Sequence, residues 1–222
     1  MKAIVADGTR QAERSRKRQR EVLKAARELF FERGYRGTTI QQIADAAGYS
    51  KRTVYLDYAN KDELFITICA EGGELLLDEL TTVAAAELSV EACVQRYLDI
   101  YIRFSRERSE YFRMIFNEST PAIVANCPPQ LRERVAGVER ACLEVIVALF
   151  ERAIGEGLIV PIEPWDAAGI FVGTSTGIIL LSMAGSQTVF SQKTLETLVT
   201  KAIWAFWRGL SVTAEARAGK GR

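Results

Sequence analysis

The chain has 222 residues, of which 48% are apolar and 26% charged, and its formal net charge is +1. These proportions are those of folded soluble proteins, so wholesale disorder is excluded. Histidine is absent, which excludes catalytic triads and metal sites built on imidazole, and the four cysteines form no Cys-x-x-Cys pair that would indicate a zinc or thioredoxin-like site.

Cysteine usage and the N-terminal sequence bear on the cellular compartment. Four cysteines in a chain of this length do not make a disulfide scaffold, and a reducing compartment is the simpler assumption. The first long apolar pattern begins near Val22, after a basic stretch, so we expect no signal peptide. A cytoplasmic location follows as an expectation.

The small net charge conceals an asymmetry along the chain. Residues 1–62 hold 14 Lys or Arg and 8 Asp or Glu, a net charge of +6, whereas residues 63–222 are net −5. The densest basic stretch is 14–20, and positive charge of this density drives binding to phosphates through counterion release. A solvated basic tail that leads into a helix is the alternative interpretation.

The N-terminal third predicts a flexible basic arm over residues 1–14 and then short helices. In the first helix, apolar residues recur at helical spacing until Gly34. Thr38 or Thr39 can cap a second helix, with Gln41 or Gln42 completing a capping box, and Gly48 ends that helix. Ser50 caps a third helix that runs to about residue 58, and Asn60 caps a fourth.

The remaining sequence favours long helices over residues 61–86, 89–107, 109–118, 129–155, 164–184 and 191–210. Residues 158–162 resemble a strand, although Pro161 weakens that interpretation. The tail 211–222 is predicted to be disordered. The expected fold class is therefore all-α, with about nine helices.

Residues 38–58 carry the strongest functional signal, because two short helices joined through Ala47, Gly48 and Tyr49 are typical of a helix-turn-helix. Ile43 and Val54 can pack the two helices together. The early turns of the second helix then face outward, where this motif enters the DNA major groove. An ordinary pair of helices with a polar face is the alternative interpretation. The predicted DNA-binding residues are Thr38, Thr39, Gln42, Tyr49, Ser50, Lys51, Arg52, Thr53, Tyr55 and Lys61.

The stretch 25–65 strongly resembles the DNA-binding domain of TetR-family transcriptional repressors. The matching residues are Phe30, Gly34, Tyr35, Thr38, Thr39, Ile43, Ala44, Ala47, Gly48, Ser50, Lys51, Val54, Tyr55, Tyr58, Lys61, Glu63 and Leu64. The resemblance implies a three-helix DNA-binding domain over 15–61, followed by a larger helical domain over 62–210 for ligand binding and dimerisation.

The resemblance also implies residue roles. Lys51, Arg52 and Thr53 would face bases or nearby phosphates, Tyr55 would lie against the DNA backbone, and Lys61 would contact a phosphate. Asp57 departs from the family, which commonly has His or Tyr there touching the backbone. Because a carboxylate repels phosphate, the sequence predicts that Asp57→His tightens DNA binding.

The second domain contains a helix, 164–184, that we predict to be buried on all sides and to pair with its symmetry mate in a dimer. Gly169, Gly173 and Gly177 lie on one stripe, which permits close helix approach. In the family, the last two long helices form a four-helix dimer bundle, and the resemblance gives that role to 164–184 and 191–210. Packing within one subunit is the alternative. The stripe expected on the last helix consists of Leu195, Leu198, Ala202 and Phe206.

Aromatic residues in the same domain are candidates for an apolar ligand pocket, although an aromatic stripe at helical spacing is more often core than pocket. They are Tyr97, Tyr101, Phe104, Phe112, Phe116, Trp165 and Phe171.

Two further motifs compete with this interpretation. Residues 173–177 spell Gly-x-Ser-x-Gly, the nucleophile elbow of hydrolases, but the flanking sequence is helical and no histidine exists to activate the serine. Residues 167–192 contain no charged side chain, which raises a membrane span, but polar residues and the lack of a basic flank argue against one.

The sequence thus predicts a homodimeric transcriptional repressor that binds a palindromic operator and is released by an unknown apolar or aromatic small molecule. No enzymatic activity, cofactor, metal or membrane partner is expected. The alternatives are a sequence-nonselective architectural DNA binder, and a helical enzyme or membrane-attached sensor that uses residues 164–192.

Overall fold

A computed structural model describes the backbone of residues 2–116, 120–183 and 192–212, with the side chains of these ranges except 2–10 and 192–195. The fold class is all-α, as predicted. The described ranges contain ten helices: α1 (Lys2–Arg33), α2 (Ile40–Ala47), α3 (Lys51–Val54), α4 (Lys61–Ala84), α5 (Val90–Glu107), α6 (Ser109–Ile115), α7 (Thr120–Ala125), α8 (Pro129–Gly155), α9 (Pro164–Met183) and α10 (Gln192–Leu210).

Helix α1 begins at Lys2, so the prediction of an irregular arm over residues 1–14 is wrong for residues 2–14. The segment lacks apolar residues at the helical spacing that marks a helix packed on a core, and the sequence predictions depend on that spacing. Most of its residues are nevertheless Ala, Arg, Glu, Gln and Lys, which form helices without tertiary support.

Helix α7 was not predicted from the sequence. It has six residues, too few to show a hydrophobic period, although Pro121 near its start is well suited to a first turn. The predicted helix ends at 118 and 184 and the start at 191 lie outside the described residues.

The chain forms two compact units, and their boundary differs from the predicted one at residue 61. The first unit comprises Met1–Gly72 and Met114–Ala136. The early turns of α4 belong to it because they bury their apolar side chains there. Phe65, for example, packs edge-on against Phe30, with ring centroids 5.4 Å apart. The buried apolar residues of these turns are Leu64, Phe65, Ile66 and Ile68.

The second unit comprises Gly73–Arg113 and Gly137–Arg222. Its core is aromatic, with Phe104, Phe112 and Phe150 fully buried. Helix α4 approaches α8 closely at Gly73, where an added Cβ would lie 2.8 Å from a methyl carbon of Val138. The assignment of this unit to ligand binding and dimerisation stays a prediction.

The strand-like segment 158–162 forms an isolated antiparallel bridge between Ile159 and Ser211. The amide of Val160 donates to the carbonyl of Leu210 over 2.8 Å, and the amide of Val212 donates to the carbonyl of Leu158 over 2.9 Å. Residues 211 and 212 are therefore ordered, contrary to the predicted disorder of the tail, whose remaining residues 213–222 lie outside the described residues.

Candidate nucleic-acid interface

Local capping builds the helix-turn-helix as the sequence predicts. Thr39 is the cap of α2, and it forms the complete capping box with Gln42. Gly48 closes α2 in the left-handed conformation, with φ of 74°, which a side chain would strain. Ser50 then caps α3 by accepting a hydrogen bond from the amide of Thr53 over 3.1 Å. These bonds fix the turn between the two helices.

Helices α2 and α3 pack through small and apolar side chains. Ile43, Ala44 and Val54 are fully buried. This packing leaves Lys51 and Arg52 exposed, with Arg52 on the side of α3 opposite to Val54. The ammonium of Lys51 lies 5.9 Å from the ring centre of Tyr55, which is itself half exposed. The exposed face of α3 is therefore cationic and amphipathic.

Leu56, which is not among the predicted DNA-binding residues, belongs to the same exposed face. Its side chain is 70% exposed, which is unusual for a leucine in a folded unit. The available signal was its position two residues after buried Val54, which turns it away from the core. Exposed apolar side chains beside base-reading residues can contact the methyl group of thymine.

Two of the predicted DNA-binding residues, Thr38 and Lys61, make their polar contacts inside the protein instead. Thr38 is fully buried, and its hydroxyl lies 2.9 Å from the carbonyl oxygen of Gly34, to which it donates. The ammonium of Lys61 donates to the carbonyls of Tyr35 and Thr38 over 2.9 and 3.0 Å. It also lies 4.0 Å from the ring centre of Tyr35. Burial lowers the pKa of Lys61, partly offset by nearby Asp62.

Tyr35 and Tyr49 fix the loops around the motif. The hydroxyl of Tyr35 donates to Asp62, and burial together with this bond raises the pKa of Tyr35 to about 12. The hydroxyl of Tyr49 donates to Glu21 of α1 over 2.6 Å, and this bond raises the pKa of Tyr49. Tyr49 is therefore bound to the scaffold by its hydroxyl, while its side chain stays half-buried.

Asp57 is not a solvent-facing carboxylate, so the premise of the Asp57→His prediction is wrong. Its side chain is 4% exposed and forms a two-pronged ion pair with Arg18, with oxygen–nitrogen distances of 2.6 and 2.8 Å. Gln19 and Ser15 donate to the same carboxylate over 3.3 and 3.4 Å. The bonds from Arg18 hold the pKa of Asp57 below its ordinary value, so the carboxylate stays ionised at neutral pH.

The predicted glycine stripe of α9 is open. Gly169, Gly173 and Gly177 are exposed, and apart from neighbouring residues and the backbone of α9 itself, no atom of the described residues lies within 4 Å of the place where a Cβ would stand. Helix α9 is therefore not buried on all sides. Ile170 is 44% exposed and Leu181 61% exposed. The stripe borders an open apolar depression lined by Gly173, Thr174, Gly177, Ile178, Leu180 and Leu181.

Helix α10 divides its apolar residues between two faces. Val199, Ile203 and Trp207 are buried in the core. The predicted stripe residues Leu198, Ala202 and Phe206 are half-buried, and the side chain of Leu195 lies outside the described side chains. The half-buried row leaves apolar surface on α10, which packs against α9.

The structure does not bring the predicted pocket residues together. Trp165 is 43% exposed, and Phe116 belongs to the first compact unit rather than the second. The others are packed: the Tyr101 and Phe112 rings stack edge-on at 5.6 Å, and the Tyr101 hydroxyl is hydrogen-bonded to that of Thr176 over 2.6 Å. The buried members are Tyr97, Tyr101, Phe104, Phe112 and Phe171.

Residues 22–68, which contain the whole helix-turn-helix, match the family described as bacterial regulatory proteins, tetR family. The chain therefore carries the DNA-binding domain of a TetR-type transcriptional regulator.

The chain is 27% identical over 169 residues to the uncharacterised HTH-type transcriptional regulator YfiR of Bacillus subtilis. The aligned residues make up 73% of this chain and 78% of YfiR. The chain is 28% identical over 142 residues to the HTH-type transcriptional activator FasR of Mycolicibacterium smegmatis, covering 62% of this chain and 61% of FasR. Its fold is similar to that of AibR, solved with isovaleryl coenzyme A and operator DNA, with a TM-score of 0.61, 24% identity and coverage of 84% of this chain and 96% of AibR.

The match of the DNA-binding domain and the HTH-type relatives support a regulator over the enzyme alternative, and the structure explains the hydrolase-like motif. Ser175 is fully buried within α9, and its hydroxyl donates to the carbonyl of Phe171 over 2.8 Å. By length and composition alone, α9 could cross a membrane: its most apolar 18-residue window has a mean hydropathy of 1.4, and 28% of that window is buried. A second protein surface that covers the glycine stripe of α9 would explain this low burial as well as a membrane would.

Proposed function

We propose that this TetR-family regulator is a cytoplasmic repressor that binds a palindromic operator as a homodimer. The observation that carries the proposal is the exposed face of α3, on which Lys51 and Arg52 stand free of the core while Val54 anchors the helix. One helix of four residues reads few bases, so a second copy related by two-fold symmetry is needed for specificity. The residues proposed for DNA contact are Thr39, Gln42, Tyr49, Ser50, Lys51, Arg52, Thr53, Tyr55 and Leu56.

The deciding experiment is selection of bound sequences from a random pool of duplex DNA at fixed salt. We expect two inverted half-sites whose centres lie about 34–36 Å apart, or a multiple of that distance. Enrichment of no sequence would contradict the proposal and favour an architectural binder, because phosphate contacts alone carry no sequence information.

The dimer surface that we propose is the glycine stripe of α9 together with the half-buried row on α10. Exposed apolar side chains flank the stripe, and such a patch is typical of a protein interface. Solubility without detergent, combined with a dimeric mass, would separate this role from membrane attachment.

Release by a small molecule is the remaining part of the proposal. The AibR structure was solved with an acyl-coenzyme A and operator DNA, which favours an effector with an apolar portion. Because Tyr97, Tyr101, Phe104, Phe112 and Phe171 are buried, an effector that binds among them would have to displace side chains such as Tyr101. The free energy that couples effector binding to DNA binding is typically about 1–3 kcal/mol.

We expect Arg52→Ala to relax the preference at one base position of each half-site by about 1–3 kcal/mol, because an arginine can pair with guanine through two hydrogen bonds. The measurement is a comparison of affinities for operators that differ at single positions. An unchanged base preference in the variant would show that α3 is not the reading helix.

We expect Leu56→Ala to weaken binding to the selected operator by about threefold to tenfold, through loss of contact with a thymine methyl group. Replacing each thymine of the operator by uracil removes that methyl. On the uracil operator, Leu56→Ala and the unaltered protein should then bind alike. An equal loss on both operators would refute methyl contact.

A further inference from the structure

The ion pair between Arg18 and Asp57 joins α1 to the end of the reading helix. The carboxylate receives bonds from Arg18, Gln19 and Ser15, which all lie on one turn of α1. These partners stand 38 to 42 residues from Asp57 in the sequence. The cluster of Ser15, Arg18, Gln19 and Asp57 is called the α1 clamp below.

Helix α3 needs an external support of this kind. It has four residues, so its own hydrogen bonds hold it weakly. Its beginning is fixed by the Ser50 cap, and the amides of Asp57 and Tyr58 carry the helical turn onward by donating to the carbonyl of Val54, both over 3.1 Å. The far end is then held by the α1 clamp and by the buried ring of Tyr58.

The clamp lies on the side of the helix opposite to the reading face. At about 100° per residue, Asp57 falls on the side of Val54, whereas Arg52 and Leu56 point the opposite way. Rotation of α3 about its axis would therefore displace Arg52 and Leu56 while it breaks the clamp. A paired hydrogen bond to a base tolerates only about 0.5 Å or 10–20° of misplacement.

We propose that Asp57 and Arg18 are positioning residues for base recognition: their two-pronged ion pair fixes the rotation of α3, so that sequence preference, and not only affinity, depends on it. The inference rests on the proposed operator binding. It also gives a reason for a carboxylate beside a DNA surface, since Arg18 neutralises it and keeps it from the phosphates.

The test uses opposite charge changes. Arg18→Gln removes a positive charge and Asp57→Asn a negative one, so nonspecific affinity should fall in the first variant and rise in the second. The ratio of operator to random-duplex affinity should instead fall in both, by about tenfold. Affinities are measured at fixed salt and at a temperature where circular dichroism shows each full-length variant folded.

Two matched variants remove the same charges from exposed positions of α1. Arg20→Gln and Glu28→Gln should shift both affinities together and leave the ratio unchanged. Arg18→Lys keeps the charge but cannot form the two-pronged pair, so its ratio should also fall. If Arg18→Gln or Asp57→Asn does not fold, the affinity ratio of Arg18→Lys tests the inference.

A ratio unchanged in Arg18→Lys and in every folded clamp variant, with the unaltered protein still selective, would overturn this inference alone. An unaltered protein without any sequence preference would overturn the proposed operator binding, and the inference with it. A ratio that falls in the clamp variants and not in the two controls supports the inference.

Discussion

Gly173→Glu should convert the proposed dimer into a monomer and weaken operator binding by about 100-fold or more. Gly173 lies at the centre of the open stripe of α9, beside the apolar depression that Ile178 and Leu181 help to line. A glutamate there would place an unpaired charge in the proposed interface, which is costly. Because two linked half-sites bind with an effective concentration in the millimolar range, loss of the dimer removes that gain.

Sedimentation equilibrium measures the first effect, and a binding titration with the full operator measures the second. Gly137→Glu is the matched control, because Gly137 is also an exposed helical glycine with open space at its Cβ position. We expect that control to remain dimeric. A Gly173→Glu protein that stays dimeric would exclude the stripe as the dimer surface.

Lys61→Ala should destabilise the first compact unit by about 1–3 kcal/mol. The carbonyls of Tyr35 and Thr38 would lose a charged donor, and the ring of Tyr35 would lose the cation beside it. The corresponding measurement is the free energy of unfolding by denaturant. This expectation replaces the uniform loss of DNA affinity that a phosphate contact would cause.

Lys51→Ala is the matched comparison, since Lys51 is exposed and is one of the residues proposed to contact DNA. That variant should keep the stability of the unaltered protein and lose affinity for all duplexes. The expectation for Lys61 fails if Lys61→Ala unfolds like the unaltered protein and binds DNA less well.

Features decided by near neighbours in the chain could be predicted from the sequence. The cap at Ser50 and the left-handed turn at Gly48 each depend on residues no more than five positions away, and the structure contains both. The same holds for the exposure of Arg52, which follows from the buried position of Val54 two residues later. Local hydrogen bonds and helical spacing are sufficient for such predictions.

Features decided by distant partners could not be predicted. Thr38, Lys61 and Asp57 were interpreted as polar groups that face a ligand, because their types and positions fit that role. The partners of Lys61 and Asp57 lie 23 to 26 and 38 to 42 residues away, so only the fold shows that these groups are occupied. Thr38 has one acceptor only four residues away, at Gly34, but its full burial is set by the fold. The helical state of residues 2–14 was missed for the opposite reason, since helix propensity acts there without a packing pattern.

The close crossing at Gly73 limits how members of this family can be recombined. Since a side chain at position 73 would collide with Val138, the two positions are compatible only as a matched pair. A chimaera that joins the N-terminal part of this chain to the C-terminal part of a relative should therefore inherit residues 73 and 138 from the same parent. With mixed parentage, a side chain at position 73 would push α4 and α8 apart and destabilise the hybrid.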